Sequence, residues 1–313
     1  MTKTQALLFI VLPLCGLLTV CSSVTPASST TPASTWPLYP ETPGGSAPFI
    51  QTDGKLLKAP DGTPLLVKGI GFGNDVWGNP STSANIKHHQ AIDYARVAAM
   101  GFNCIRFYTN YGLYEDDARP YNYKQSGFDW LDWNIAQAKA NGIYLILNMH
   151  YPQGGFQSNG AGDALWTNPA NQSRLAYLWK EIARRYRNEP TIMGYGLVNE
   201  PVPTSGAGQW STLAQNLINA IRSEDPYHLF FVERVCWTKY SSTTAEVANL
   251  YFPTVRDPAS HSNIVYEYHQ YNPMEFTHQN ASWIAALVGK FTAWPDSSRM
   301  TAENESWKNF SST

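Results

Sequence analysis

Short apolar runs and amphipathic stretches alternate along most of the chain. The runs fall at 66–70 (LVKGI), 104–108 (CIRFY), 143–149 (IYLILNM), 192–198 (IMGYGLV), 229–235 (LFFVERV) and 264–268 (IVYEY). Between them, apolar positions recur at helical spacing over 90–100, 128–141, 171–186 and 210–223. Near-continuous apolar strands are buried on both faces, and their alternation with helices predicts a parallel α/β sheet. Ahead of the first run, Asp53-Gly54 and Asp61-Gly62 separate short apolar segments and predict a small hairpin.

Polar residues choose between the two parallel architectures. Lone charged or polar groups interrupt or end the predicted strands: Lys68, Arg106, His150, Glu200, Glu233 and His269. Groups contributed by many strands converge at the carboxyl-terminal mouth of a (β/α)8 TIM barrel. A doubly wound sheet concentrates its site at one switch point, commonly behind a Gly-rich phosphate loop, and no such loop follows a strand here. The expected fold is therefore α/β, a (β/α)8 barrel with about six βα units present.

Composition adds compartment and substrate. The chain has 313 residues, 15% charged, with a net charge of -2, a poor balance for neutralising phosphates, so nucleic acid is excluded as a partner. Its 11 Trp and 18 Tyr suit a core, and also stacking on sugar rings. Lys3 followed by the apolar run 6–20 predicts a signal peptide over 1–21. The LTVC text ending at Cys21 looks like a bacterial lipoprotein cleavage site, although Val20 departs from the usual small residue. A lipid anchor at Cys21 and plain secretion both remain open, and export is common to both. Residues 22–48, rich in Ser, Thr and Pro, read as a flexible linker, which leaves 49–313 as the barrel domain. Cys104 and Cys236 stand in no metal-ligand spacing and are expected to be buried free thiols. No metal or cofactor motif is present.

The sharpest local feature is YGLVNEP at 195–201, an apolar strand ending in Asn199-Glu200-Pro201. A Glu at a barrel mouth among apolar walls is expected to have its pKa raised toward a range useful for a general acid. The neighbouring text widens the pattern: GFNCIRFY, GIYLILNMHYPQGG, EIARRYRNEPTIMGYGLVNEP and IVYEYHQYNPMEFTHQ follow in order. Together with GKLLKAPDGTPLLVKGIGFGN, these segments resemble glycoside hydrolase family 5, the family of many cellulases and mannanases. The resemblance runs from about Gly54 to about Trp283.

The resemblance implies a role for each matched position. Glu200 takes the place of the acid/base and Asn199 the residue beside it. Arg106 and Tyr271 would orient the catalytic carboxylate, while His150 and His269 would bind sugar hydroxyls near the point of cleavage. Trp237 and Trp77 are candidate sugar platforms, with core packing as the alternative. Glu233 and Glu267 read first as interior network residues. The family's retaining mechanism needs a second carboxylate about 5–5.5 Å from the acid/base. No Glu closing a seventh strand is recognisable, and Glu303 and Glu305 follow no apolar strand. The expectation is that the nucleophile and two further βα units, on the order of 70 residues, lie beyond the C-terminus.

The expected function is a retaining glycosidase cleaving β-1,4-glucan. An endo-β-mannanase or β-1,3-glucanase of the same fold is the alternative within that chemistry. A non-catalytic carbohydrate-binding lipoprotein lacking the nucleophile is the alternative outside it.

Overall fold

The computed structural model describes residues 49–76, 89–240, 252–259, 262–269, 271, 277–278 and 281. The expected signal peptide with Cys21, the linker, Trp77, Glu303 and Glu305 lie outside the described residues.

The chain opens with the hairpin β1 (Gln51–Asp53) and β2 (Leu56–Lys58), paired antiparallel around Gly54. A six-stranded sheet follows, in the order β3 (Gly69–Phe72), β4 (Cys104–Asn110), β5 (Tyr144–Tyr151), β6 (Ile192–Gly196), β7 (Leu229–Glu233) and β8 (Ile264–Glu267). Each strand pairs parallel with the next. The connecting helices are α1 (Ala91–Ala99), α2 (Gln125–Ala140), α3 (Asp163–Thr167), α4 (Pro169–Tyr186) and α5 (Ala207–Arg222). Sequential parallel strands with helical crossovers are the arrangement of a partial (β/α)8 barrel.

The curl of the sheet follows from one side chain. Arg106 on β4 bonds Glu267 on β8, four strands away, at 2.6 Å. In a flat sheet those strands would lie roughly 19 Å apart, beyond the reach of both side chains. The inner face must therefore be concave, with Arg106 crossing it.

Two apolar layers follow from strand alternation. The outer layer packs strand residues such as Phe107, Tyr195 and Phe230 against helix residues Trp179, Trp210, Phe128 and Ile135, all fully buried. The second layer joins Cys104, Ile146, Met193, Leu229 and Phe231 to Ile50, with Leu57, Leu65 and Val67 packed against it. The hairpin thus closes the amino-terminal end of the sheet, and Thr52 ties it there by donating its N–H to Asn263 Oδ1 at 3.2 Å. A register shift where β5 meets β6, between Leu145 and Ile146, lets Met193 join the second layer while Tyr195 packs on Trp179 in the first.

Three expectations are corrected. The first strand begins at Gly69, so Lys68 precedes it and does not mark its mouth end; Leu65 and Val67 pack with the hairpin, and Leu66 is exposed. An apolar run split between hairpin return and strand carries no boundary in its composition. Residues 163–167, outside the four stretches of helical spacing, form the short helix α3. Cys104 is buried as expected, but Cys236 is only partly so; both are free, and burial pushes each thiol up to about 12.

Candidate active site

Alternation within β4 sends Cys104, Arg106 and Tyr108 to the inner face in ascending order. The same rule on β5 stacks Ile146, Asn148 and His150, and on β7 Leu229, Phe231 and Glu233. Apolar residues lie at the bottom, an ionic layer at mid-height, and the histidines at the mouth.

Arg106 organises the ionic layer. Its Nη2 donates to Glu233 Oε1 at 2.5 Å and to Asn199 Oδ1 at 3.2 Å, and its Nε donates to Glu267 Oε1 at 2.6 Å. Glu233 is 3% exposed, and its second oxygen accepts the backbone N–H of Glu200 at 2.7 Å. Burial, opposed by Arg106 and reinforced by the Glu267 charge, pushes Glu233 up to about 7. Burial acts the same way on Glu267, but there Arg106 and His269 outweigh it and hold the carboxyl down. The two carboxylates share one guanidinium, so the low-lying one keeps its charge and the other holds its proton more readily.

Glu200 stands just past the end of β6, and His269 just past the end of β8. His269 Nδ1 lies 2.7 Å from Glu200 Oε1, and its Nε2 lies 3.5 Å from both Glu233 Oε2 and Glu267 Oε1. Burial disfavours the imidazolium, but hydrogen bonds to Glu200 and Glu267 raise His269 to about 10. For Glu200, burial raises the carboxyl, and the bonds from His269 and Ser158 overcome it, leaving a net lowering. The expected upward shift is thus corrected: the apolar walls are present, but the sequence does not show that a cation will sit on the carboxylate. Glu200 also has φ +44, a left-handed conformation that a residue with a Cβ adopts at a cost of about 1–3 kcal/mol.

Asn199 and His150 join the cluster. Asn199 accepts from Arg106 and donates through Nδ2 to Ser158 Oγ at 3.1 Å. His150 stacks on Tyr108 with ring centres 4.2 Å apart, and its Nδ1 lies 3.0 Å from Asn148 Oδ1. Burial, then the charges of Arg106 and His269, hold its pKa well below 6.5, so it is neutral at pH 7. Tyr271 packs edge-on to His269 at 6.2 Å and is pushed up to about 12 by burial. Trp237 is 40% exposed and donates its indole N–H to Ser158 O at 3.0 Å. Gly160 beneath it has φ +76, and a Cβ there would sit 2.7 Å from the Trp237 ring.

Six predicted residues therefore converge: Arg106, His150, Asn199, Glu200, His269 and Tyr271. Trp237 joins from the loop after β7. Glu233 and Glu267 are network residues, as their position within strands suggested. Tyr108 and Ser158 were missed. Tyr108 was within reach, being two residues beyond Arg106 on the same face; Ser158 gives no signal in a Gly- and Asn-rich loop. Ligand atoms of Glu233, Glu267 and His269 lie within 4.8 Å of one another, but the Arg106 guanidinium binds both carboxylates, so the trio is a charge-balanced network and not a metal cradle.

The family model Cellulase (glycosyl hydrolase family 5) matches residues 60–313. The chain belongs to glycosyl hydrolase family 5. A beta-xylosidase of Phanerodontia chrysosporium is 28% identical, over 59% of this chain and 46% of that protein. Endoglucanase C of Acetivibrio thermocellus is 30% identical, over 61% of this chain and 52% of its own length. The chain thus spans about half the length of these curated relatives. Among solved structures, Thermotoga maritima Cel5A in complex with cellobiose superposes with a TM-score of 0.59 at 23% identity, covering 78% of this chain and 73% of that one. Endo-glycoceramidase II from Rhodococcus sp. gives 0.58 at 20%, covering 74% and 62%. At such identities the likeness is one of fold.

Proposed function

We propose that this family 5 chain carries the acid/base side of a retaining glycosidase site for β-1,4-glucan, with Glu200 as the proton donor. The carrying observation is the convergence of Asn199 and Glu200 with Arg106 and His269 at the mouth of the sheet. His269 holds the proton of the pair and bonds Glu200 across 2.7 Å, and Glu200 would pass a proton on to the departing glycosidic oxygen. Asn199 and neutral His150 offer donors and acceptors to sugar hydroxyls, and Trp237 an exposed ring for a sugar face. A retaining reaction needs a second carboxylate about 5–5.5 Å from Glu200. Glu233 does not fit, since both its oxygens are engaged by Arg106 and the Glu200 amide. The endoglucanases among the relatives support a glucan over β-mannan, and the cellodextrinase of Ruminococcus flavefaciens among them supports the β-1,4 linkage.

The lowered pKa of Glu200 favours a second reading, a carbohydrate-binding protein without turnover. The full chain and its Glu200→Gln variant, assayed for reducing-sugar release from carboxymethyl-cellulose, β-mannan and β-1,3-glucan, separate the two. Glycosidase action predicts release on the first polymer that drops by about 10²–10⁴ in the variant. Retention of both proteins on cellulose with no release from any polymer supports binding alone. Export fits a polymeric substrate, and anchoring predicts labelling by radioactive palmitate that is lost in Cys21→Ala.

A further inference from the structure

We propose that Glu233 is a positioning residue that sets the backbone of Glu200 and thereby aims its carboxyl, an inference that rests on the reading of Glu200 as proton donor. β6 ends at Gly196, so no strand ladder holds the Glu200 peptide. Its neighbours are fixed by backbone bonds: Asn199 N–H donates to Met149 O at 3.0 Å, and Cys236 N–H to Pro201 O at 2.9 Å. Glu200 itself, in the left-handed region and directly before a proline, donates its N–H to a side chain, Glu233 Oε2, at 2.7 Å. Such a conformation persists only where the surroundings over-determine it.

Glu233 is built to be that restraint. It is buried, its first oxygen is held by Arg106 at 2.5 Å, and its own backbone carbonyl accepts the indole N–H of Trp210 at 2.7 Å. Neutralising Arg106 does not by itself account for it, because Glu267 already binds the same guanidinium. A second carboxylate on one buried cation is electrostatically unfavourable: burial first, and then the Glu267 charge, push Glu233 up. What the second carboxylate adds is an acceptor for the Glu200 amide.

The test uses the full chain, labelled with ¹⁵N-glutamate, in wild type, Glu233→Ala and Glu233→Gln. An amide bonded to a carboxylate has a strongly downfield proton. The Glu200 signal is expected to lie there in wild type, to move upfield in Glu233→Ala, and to shift less in Glu233→Gln, which keeps an oxygen acceptor. A Glu200 amide unchanged by Glu233→Ala overturns the proposal. Should the alanine variant not fold, an unchanged signal in Glu233→Gln overturns it equally. Kinetics give the second readout, with phenyl β-cellobioside, whose leaving group needs a proton, and 2,4-dinitrophenyl β-cellobioside, whose leaving group does not. For Glu233→Ala, kcat/KM, which reports the first and acid-assisted step alone, should fall about 10- to 100-fold on the first substrate and by less than about threefold on the second. Equal losses on both substrates mean general disruption and reject the positioning role. No turnover by the wild type tells against catalysis by this chain and leaves the restraint on Glu200 to be decided by the amide shift alone.

Discussion

Arg106 shows how one residue ties chemistry to stability. It bridges β4 to β7 and β8 and neutralises two acidic groups in a nearly closed interior. Removing it leaves uncompensated buried carboxylates, so Arg106→Met is expected to lower unfolding free energy by about 3–5 kcal/mol, read from urea denaturation. His269 predicts a pH dependence with a definite sign. Its imidazole titrates near 6.5 in the unfolded chain and near 10 in the folded site. Between those values the folded state holds a proton that the unfolded chain has lost. The contribution is complete below 6.5 and is lost as pH rises toward 10. Urea midpoints at fixed ionic strength should therefore fall across that window, and fall less in Glu200→Gln, where His269 lacks its carboxylate. At the acid end the sense reverses: Glu200 and Glu267 are both held down, so their contribution disappears as pH falls below about 4.5.

Among the elements, the segment between β5 and α4 does most to shape the mouth. It leaves β5 after Tyr151, folds α3, and starts α4 at Pro169, with Asn168 Oδ1 accepting the Ala170 N–H at 3.0 Å as an N-cap. On the way it presents Ser158 to Asn199 and Trp237, and Lys239 ties it further by bonding Asp163 at 2.5 Å. Gly160 is the residue this packing cannot replace, being left-handed and pressed against the Trp237 ring. Gly160→Val should displace that ring. The expected result is a changed tryptophan emission spectrum and weaker cello-oligosaccharide binding in calorimetry, with little change in far-ultraviolet circular dichroism.

At the scale of the molecule, the hairpin and the sheet are joined through Asn263. This residue is 1% exposed; it accepts from Thr52 of the hairpin and donates to Tyr227 O at 3.1 Å just ahead of β7. Asn263→Ala removes bonds on both sides and leaves the Tyr227 carbonyl and Thr52 amide without that partner. A loss of about 1–3 kcal/mol is expected, measured as a lower urea midpoint. Because the junction lies at the end of the sheet opposite Glu200, any measured glycosidase activity per folded molecule should stay near the wild-type value.

Strand and helix order, the parallel architecture and six of the converging site residues were legible in the sequence. Those features rest on local periodicity and on polar residues set into apolar runs, and both are written residue by residue. The start of β3 was not legible, because an apolar run does not say which residues pair and which cap the barrel. Nor was Ser158, whose importance comes only from where the loop lands. The charge state of Glu200 was decided by tertiary structure alone. Burial by itself would raise its pKa, and the opposite outcome depends on His269 arriving from a strand 69 residues away. The same holds for Glu233: its place on an apolar strand marks it as interior, but only the curled sheet brings it to both Arg106 and the Glu200 amide.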